Sequence, residues 1–298
     1  TLGPRINAAG RMDHASTAVE LLLAPSYTEA EGPAATLEQL NRERRTIDDR
    51  IEQEAIERAE RHITSRSPHA LVLYDEDWHL GVIGIVASSI VERFHKPTIL
   101  LTHNGEEVKG SARSIDGINI YEALEECEEV LTQFGGHDHA AGMSLAADDI
   151  EAFRDRFDAA VGERVTPELL TPSIKVDASV DLDTIGTVED RFWAVLKQFG
   201  PFGPANPRPV FHAQDLAVVS ARTVGSDDSH LKFAVRQCGS SDGCSLDAIG
   251  FGMGEKLSVL RESQQTGTPV EVLFSLEENT WKGETSLQMK VRDVRLED

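Results

Sequence analysis

Three glycine-rich runs carry residue types that could hold or act on an anion. The first is Gly3-Pro4-Arg5-Ile6-Asn7-Ala8-Ala9-Gly10-Arg11. Its small residues permit a tight path, while Arg5 and Arg11 supply planar forks that match phosphate oxygens. The second is Gly110-Ser111-Ala112-Arg113-Ser114. It places two hydroxyls and a guanidinium in one short turn after a strand, as a phosphate clamp requires. An ordinary strand end with polar surface residues accounts for that run equally well. The third is Gly135-Gly136-His137-Asp138-His139-Ala140-Ala141-Gly142. Paired glycines let a backbone approach a ligand and turn its amides inward, and the adjacent histidine can donate to a phosphate or move a proton. Adjacent side chains such as His137, Asp138 and His139 do not readily converge on one ion, so no metal site is assigned to them.

The elements that must position these runs follow from periodicity. A short helix is expected over 15–23. A longer one follows, with Leu37, Leu40, Ile47, Ile51, Ala55, Ala59 and Ile63 at helical spacing and its stretch 36–62 setting the length. At 1.5 Å per residue it would span roughly 40 Å, enough to connect two lobes; an amphipathic helix belonging wholly to the next domain fits nearly as well. From Ala70 the pattern reads strand, helix, strand, with Ile83, Val86, Ile90, Val91 and Phe94 as the helical stripe, which predicts a βαβ unit. A strand near 107–111 and helices over 120–131 and 150–161 follow, with Asp148 expected to cap the last.

The proline-bearing stretch 166–172 marks a domain boundary. Beyond it, short β-rich runs at 174–180, 216–223, 231–235, 247–250, 270–275 and 287–291 alternate with turn-rich segments at 225–229, 239–243 and 278–284, and one helix interrupts them near 188–199. Such spacing suggests a small closed or nearly closed barrel. The expected architecture is therefore an α/β domain with a mixed or parallel sheet, preceded by a long connector helix and followed by a small β-barrel.

Composition sets the bounds. The chain has 298 residues, 40% of them hydrophobic, which suits a globular protein of two domains. No apolar stretch approaches the roughly 20 residues of a membrane-spanning helix, so the sequence reads as cytoplasmic with no membrane partner. Cys127, Cys238 and Cys244 lack zinc or disulfide spacing and read as free thiols. Acidic residues outnumber basic ones 51 to 29, for a formal charge of −22. That balance opposes a nonspecific polyanion coat but permits a local basic site, and it would suit work at high salt.

The runs "GPRINAAGRMDHAS", "GVIGIVASSIVERFHKPTILL", "GSARSI" and "FGGHDHAAG", in this order, closely resemble the later motifs of RecJ-type proteins of the DHH phosphoesterase superfamily. "PFGPANPRPVF", "HLKFAV" and "NTWKGETSLQMKVRD" resemble the OB-fold that follows in that family. The resemblance implies a single-strand-specific 5′-to-3′ exonuclease of DNA repair and recombination, using Mn²⁺ or Mg²⁺ bound in an N-terminal DHH domain whose Asp-His-His run is not found here. The chain is accordingly expected to be a fragment, inactive alone. It would comprise 1–24 as the end of the catalytic domain, 25–66 as connector, 67–165 as DHH-associated domain and 166–298 as OB-fold.

By resemblance Arg5, Asn7 and Arg11 face the absent active site, Ser111, Arg113 and Ser114 hold the terminal phosphate, and Gly135, Gly136 and His137 face the scissile phosphate, with His137 catalytic. The partners implied are single-stranded nucleic acid, DNA first, with single-strand-binding or replication proteins beside it. A non-catalytic replication-fork scaffold and a small-oligonucleotide phosphodiesterase are the alternatives. Within the OB-fold, Trp193, Phe199, Phe202 and Phe211 read as core, while Trp281, in a turn beside Lys282 and Gly283, could stack on a base or cover the barrel end.

Overall fold

The computed structural model describes residues 2–66, 68–203, 205–225, 227–240 and 245–297, which fall into two compact units meeting in sequence between Pro172 and Ser173. Cys244 and part of the expected turns at 225–229 and 239–243 lie outside the described residues. No helix among the described residues is long and apolar enough to cross a membrane.

The first unit opens with a correction. The run expected as a tight anion-gripping path is a helix, α1 (Leu2–Met12). Pro4 falls in its first turn, where a missing N–H leaves no helical bond unmade. Ala8 and Ala9 are fully buried, so the small residues of this run serve close helix packing. Helix α2 (Ser16–Leu23) follows, then α3 (Tyr27–Arg66), 40 residues and about 60 Å long. It starts well before the expected Thr36, because Gly32 and Pro33 weaken the helical signal of its first turns. Its leading half packs Leu37 and Leu40 against Ala9 and Ala18. Its trailing half packs Ile51, Ala55 and Ala59 against the layer that follows.

That layer is a mixed sheet in the order β1-β2-β3-β5-β4. Strand β1 (Leu71–Tyr74), helix α4 (Leu80–Phe94) and strand β2 (Thr98–Asn104) form the expected βαβ unit, with β1 and β2 parallel. Strand β3 (Glu107–Arg113) runs antiparallel to β2. Helix α5 (Ile120–Glu125) is shorter than expected and ends in a separate 3-10 turn at Glu128–Val130. Strands β4 (Gln133–His137) and β5 (Ala140–Leu145) form a hairpin that adds to β3 through β5.

Helix α6 (Ile150–Gly162) closes the layer. Asp148 does not cap it, since that residue lies in a 3-10 turn, Ala147–Asp149, that runs directly into the helix. Alternation divides the sheet cleanly. Leu71, Leu73 and Leu100 face α3 and α4, while Val72, Ile99, Leu101, Val108, Ala112 and Met143 face α5 and α6 around Phe153 and Phe157.

The second unit begins with β6, only Ala178–Ser179 rather than the expected strand over 174–180. In place of one helix near 188–199 there are α7 (Leu182–Ile185), α8 (Arg191–Leu196) and a 3-10 turn. Strands β7 (Phe211–Val224), β8 (His230–Gln237) and β9 (Leu246–Gly250) lead to helix α9 (Leu257–Thr266), then to β10 (Val270–Trp281) and β11 (Glu284–Leu296). Helix α9 escapes a sequence reading because it buries only Leu260 and Ser263.

Pairing runs β10-β11-β9-β8-β7-β6, and β10 also pairs with β7, Val272 opposite Ala213 and Phe274 opposite Phe211. Trp193 and Phe211 are core, as expected, but Phe199 is 62% exposed. It stands on the 3-10 turn beyond α8, outside the packed strands. The expected turn over 278–284 shrinks to Lys282-Gly283, because β10 continues to Trp281 and pairs it with Glu284.

Candidate nucleic-acid interface

Strand alternation assembles one polar face from three strands. On β3, Lys109, Ser111 and Arg113 point the same way, and the ladder sets Ser144, Gly142 and Ala140 of β5 beside them. Beyond these come Gln133, Gly135 and His137 of β4. Three rows result: Arg113–Ala140–His137, Ser111–Gly142–Gly135 and Lys109–Ser144–Gln133. Helix α4 packs over the β2 and β3 part of this face and leaves the β5 and β4 part open.

Ser111 and Arg113 therefore lie within a strand and not in the turn expected after it. Arg113 Nη1 donates to Ser111 Oγ at 3.0 Å and to Ala112 O at 2.7 Å. Gly84 of α4 makes room for both: an added Cβ there would stand 2.9 Å from Ser111 Oγ and 3.1 Å from Arg113 Nη2. Burial, and then the charge of neighbouring Arg11, lower the Arg113 guanidinium from its ordinary value. Two cations thus gather where α1 meets the start of α4. Arg11 Nη1 donates to Gly81 O at 3.2 Å, and a Cβ on Gly81 would collide with Arg11 O.

Asn7, one helical turn before Arg11, is exposed. Arg5 points elsewhere and is held by Glu38 of α3 at 2.5 Å. Ser114 leaves the strand, and its hydroxyl donates to Ile118 O at 2.7 Å, so that proton is committed to its own loop.

The third run is a strand and hairpin rather than an amide-lined turn. Gly135 and Gly136 pair with Gly142 and Ala141, and Asp138-His139 form the two-residue turn. The turn offers carbonyls to its neighbours: Asp138 O accepts from Ile120 N at 2.9 Å and His139 O from Ser114 N at 3.0 Å. Gly136 is required by close approach, since a Cβ would strike Ala140 O and Ala141 Cα. His137 is exposed at the end of β4. No group of three His, Cys, Asp or Glu among the described residues could hold a metal ion, so these residues do not by themselves form a divalent-metal site.

In the second unit Trp281 is 72% exposed at the tip of the β10–β11 hairpin. Lys282 (φ +51°) and Gly283 (φ +89°) form its two-residue turn, as a primed hairpin turn requires. A further patch was not visible in the sequence. Arg222, Lys232, Ile249 and Lys290 stand side by side across β7, β8, β9 and β11, facing away from the core that takes Leu231, Phe233, Ala248 and Met289. Next to this row Phe251, 56% exposed, packs edge-on to His230 at 5.3 Å, with Lys290 Nζ 5.7 Å from its ring. Aromatic and cationic groups so interleaved suit a single strand.

Residues 67–163 match the DHHA1 domain and residues 176–293 the RecJ OB domain. A Bacillus subtilis protein named single-stranded-DNA-specific exonuclease RecJ is 35% identical over 299 residues, which is 100% of this chain. The chain belongs to the RecJ family. Crystal structures of RecJ from Thermus thermophilus, in complex with Mg²⁺ and with Mn²⁺, match 99% of it at 29% identity, with TM-scores of 0.78 and 0.75. The chain spans 36% of the Bacillus subtilis RecJ and 42% and 40% of the two crystallised RecJ chains.

Proposed function

We propose that this chain is the strand-gripping portion of a metal-dependent, single-strand-specific 5′-to-3′ exonuclease acting on DNA in repair and recombination. The observation that carries the reading is the joined Ser111–Arg113 pair, half-buried beside α4 on the same sheet face as His137, which shares a ladder row with Arg113. A guanidinium and a hydroxyl held together form a fork for a terminal phosphate. Arg11 adds its charge beside Arg113 from α1, with Asn7 one turn before it, Arg5 anchors that helix to α3, and His137 would meet the phosphodiester that follows the terminal phosphate.

Gly142 and Gly135 keep the ladder between these groups bare, while Gly136 turns to the other face and lets β4 and β5 approach closely. The ions bound in the Thermus RecJ structures are Mg²⁺ and Mn²⁺. The described residues offer no ligand set for either, so this chain's part is to hold the strand in line.

The second unit is proposed as a closed OB barrel that binds the trailing strand, a reading supported by the β10–β7 pairing and by the Arg222–Lys232–Lys290 row near Phe251. Trp281 would add a stacking platform at the hairpin tip. The division at 1–24, 25–66, 67–165 and 166–298 and a cytoplasmic location belong to the same proposal.

The test uses the full-length protein with Mn²⁺ and a single strand labelled at its 3′ end. Progressive shortening from the 5′ end is expected, and residues 2–297 alone should cleave nothing. Absence of cleavage by the full-length protein, with strand binding retained, would favour the scaffold reading.

A further inference from the structure

On the polar face of the first unit lies an open groove of about 350 Å³, bordered by Leu80, Lys109, Gln133 and Ser144 and floored by Gly135 and Gly142. The two floor glycines are paired with each other in the β4–β5 ladder. Neither has a positive φ. A Cβ on Gly135 would meet nothing within 4 Å, and one on Gly142 would meet only Gly110 O at 3.8 Å. Neither backbone conformation nor packing therefore asks for glycine here, in contrast to Gly136, and a strand interior is weakened by it.

The side chains at the edge are likewise unused. Ser144 is 91% buried and lines the groove, yet its hydroxyl makes no hydrogen bond to any described residue. Lys109 and Gln133 have no side-chain partner among the described residues either, although the chain carries 51 acidic groups.

We infer that this groove is a subsite for the nucleobase of the strand's terminal nucleotide, an inference that rests on the proposed phosphate fork at Ser111 and Arg113. Successive rows on one strand face are roughly 7 Å apart and neighbouring strands about 4.8 Å. The glycine row thus lies one step from the fork, and the floor is about 10 Å wide between β3 and β4. A planar ring fits on bare backbone where any side chain would lift it. Beyond the floor, Gln133 offers both donors and an acceptor, Ser144 a hydroxyl and Lys109 a cation. That mixture suits the donor and acceptor edge of a base; a second phosphate would call for donors alone. Leu80 supplies the apolar wall.

The test compares two 5′-phosphorylated single strands, one normal and one abasic at its first nucleotide, by equilibrium binding to the full-length protein without divalent metal. The wild type is expected to hold the normal strand roughly 10-fold more tightly, and Gln133→Leu and Gly142→Val should each remove that difference. Two variants are used so that a folding defect in one, read from Tm, leaves the other decisive. An equal affinity of the wild type for both strands, or a preference unchanged in the folded variants, overturns the base subsite. Adding a strand that lacks the 5′ phosphate separates the two ideas. If the wild type ignores the phosphate, the fork reading falls and the subsite falls with it; if phosphate discrimination stands and base discrimination is absent, the subsite alone is wrong.

Discussion

Arg113 reaches back along its own strand to donate to Ser111 Oγ at 3.0 Å, and both lie against the bare Cα of Gly84. The guanidinium is oriented before any ligand arrives. Arg113→Lys would replace a planar fork by a point charge that cannot span the same acceptors. Loss of a charged hydrogen-bonded contact is worth about 1.5–3 kcal/mol, so 5′-phosphate discrimination in the full-length protein should fall roughly 10- to 100-fold in both Arg113→Ala and Arg113→Lys. An Arg113→Ala protein slowed equally on phosphorylated and unphosphorylated strands would remove the fork from this position.

His137 ends β4 in the same row as Arg113. If it acts on charge that develops at the scissile phosphate, as proposed, it should affect turnover more than binding. His137→Ala is expected to lower kcat roughly 10²- to 10⁴-fold with little change in strand affinity. Unchanged kcat with weakened binding would make it a binding residue only.

Gly136 and Gly135 are neighbours with opposite tolerances. A methyl on Gly136 would strike Ala140 O and Ala141 Cα, while one on Gly135 would enter open space. Gly136→Ala should destabilise the first unit by about 1–3 kcal/mol, the usual range for overpacking. Gly135→Ala should leave Tm near the wild-type value, and thermal unfolding of residues 2–297 reads both.

Trp281 is exposed at a hairpin tip, so Trp281→Ala should change stability by less than about 0.5 kcal/mol. If the ring stacks on a base, the same change should weaken single-strand binding by about 1–3 kcal/mol. Fluorescence titration with a homopolymeric strand measures it; unaltered affinity would leave Trp281 as a surface residue of the hairpin tip.

Glu271 sets an acid limit on the second unit. It is 91% buried, accepts from His212 Nε2 at 2.5 Å and pairs with Arg295. Burial alone would push its carboxyl up, but the Arg295 and His212 hydrogen bonds outweigh it and hold the group below its ordinary value of 4.5. A depressed folded-state value stabilises the fold above the unfolded pKa, and that contribution is lost as pH falls from 4.5 through the folded value. Glu271→Gln should lower Tm at pH 7 and narrow its gap from the wild type as pH drops below 4.5. A constant gap from pH 7 to pH 3 would refute the linkage.

Local pattern was enough for much of the first unit. The βαβ stripe of Ile83, Val86 and Ile90 and the Phe153–Phe157 helix are legible because burial imposes a period that any isolated stretch displays. The ordered motifs likewise identified the RecJ family before any coordinate. What spacing could not convey was conformation where small residues admit several. The Gly3–Arg11 run reads as a tight path but folds as a helix, because its alanines are needed against α3, and the same compact residues would serve a loop or a helix crossing equally.

Tertiary structure alone decided which side chains meet. Lys109, Gln133 and Ser144 are separated by intervening helices and turns in sequence, yet ladder register places them in one row. Arg222, Lys232 and Lys290 gather across β7, β8, β9 and β11 in the same way. Gly84 looks like a flaw in a helical stripe until Ser111 and Arg113 are seen packed on it. Sequence determined the kinds of chemistry this protein carries, because residue types and local periods are written along the chain. Register and helix crossing determined the surface on which that chemistry is assembled, since hydrogen-bond pairing between distant strands sets which faces align.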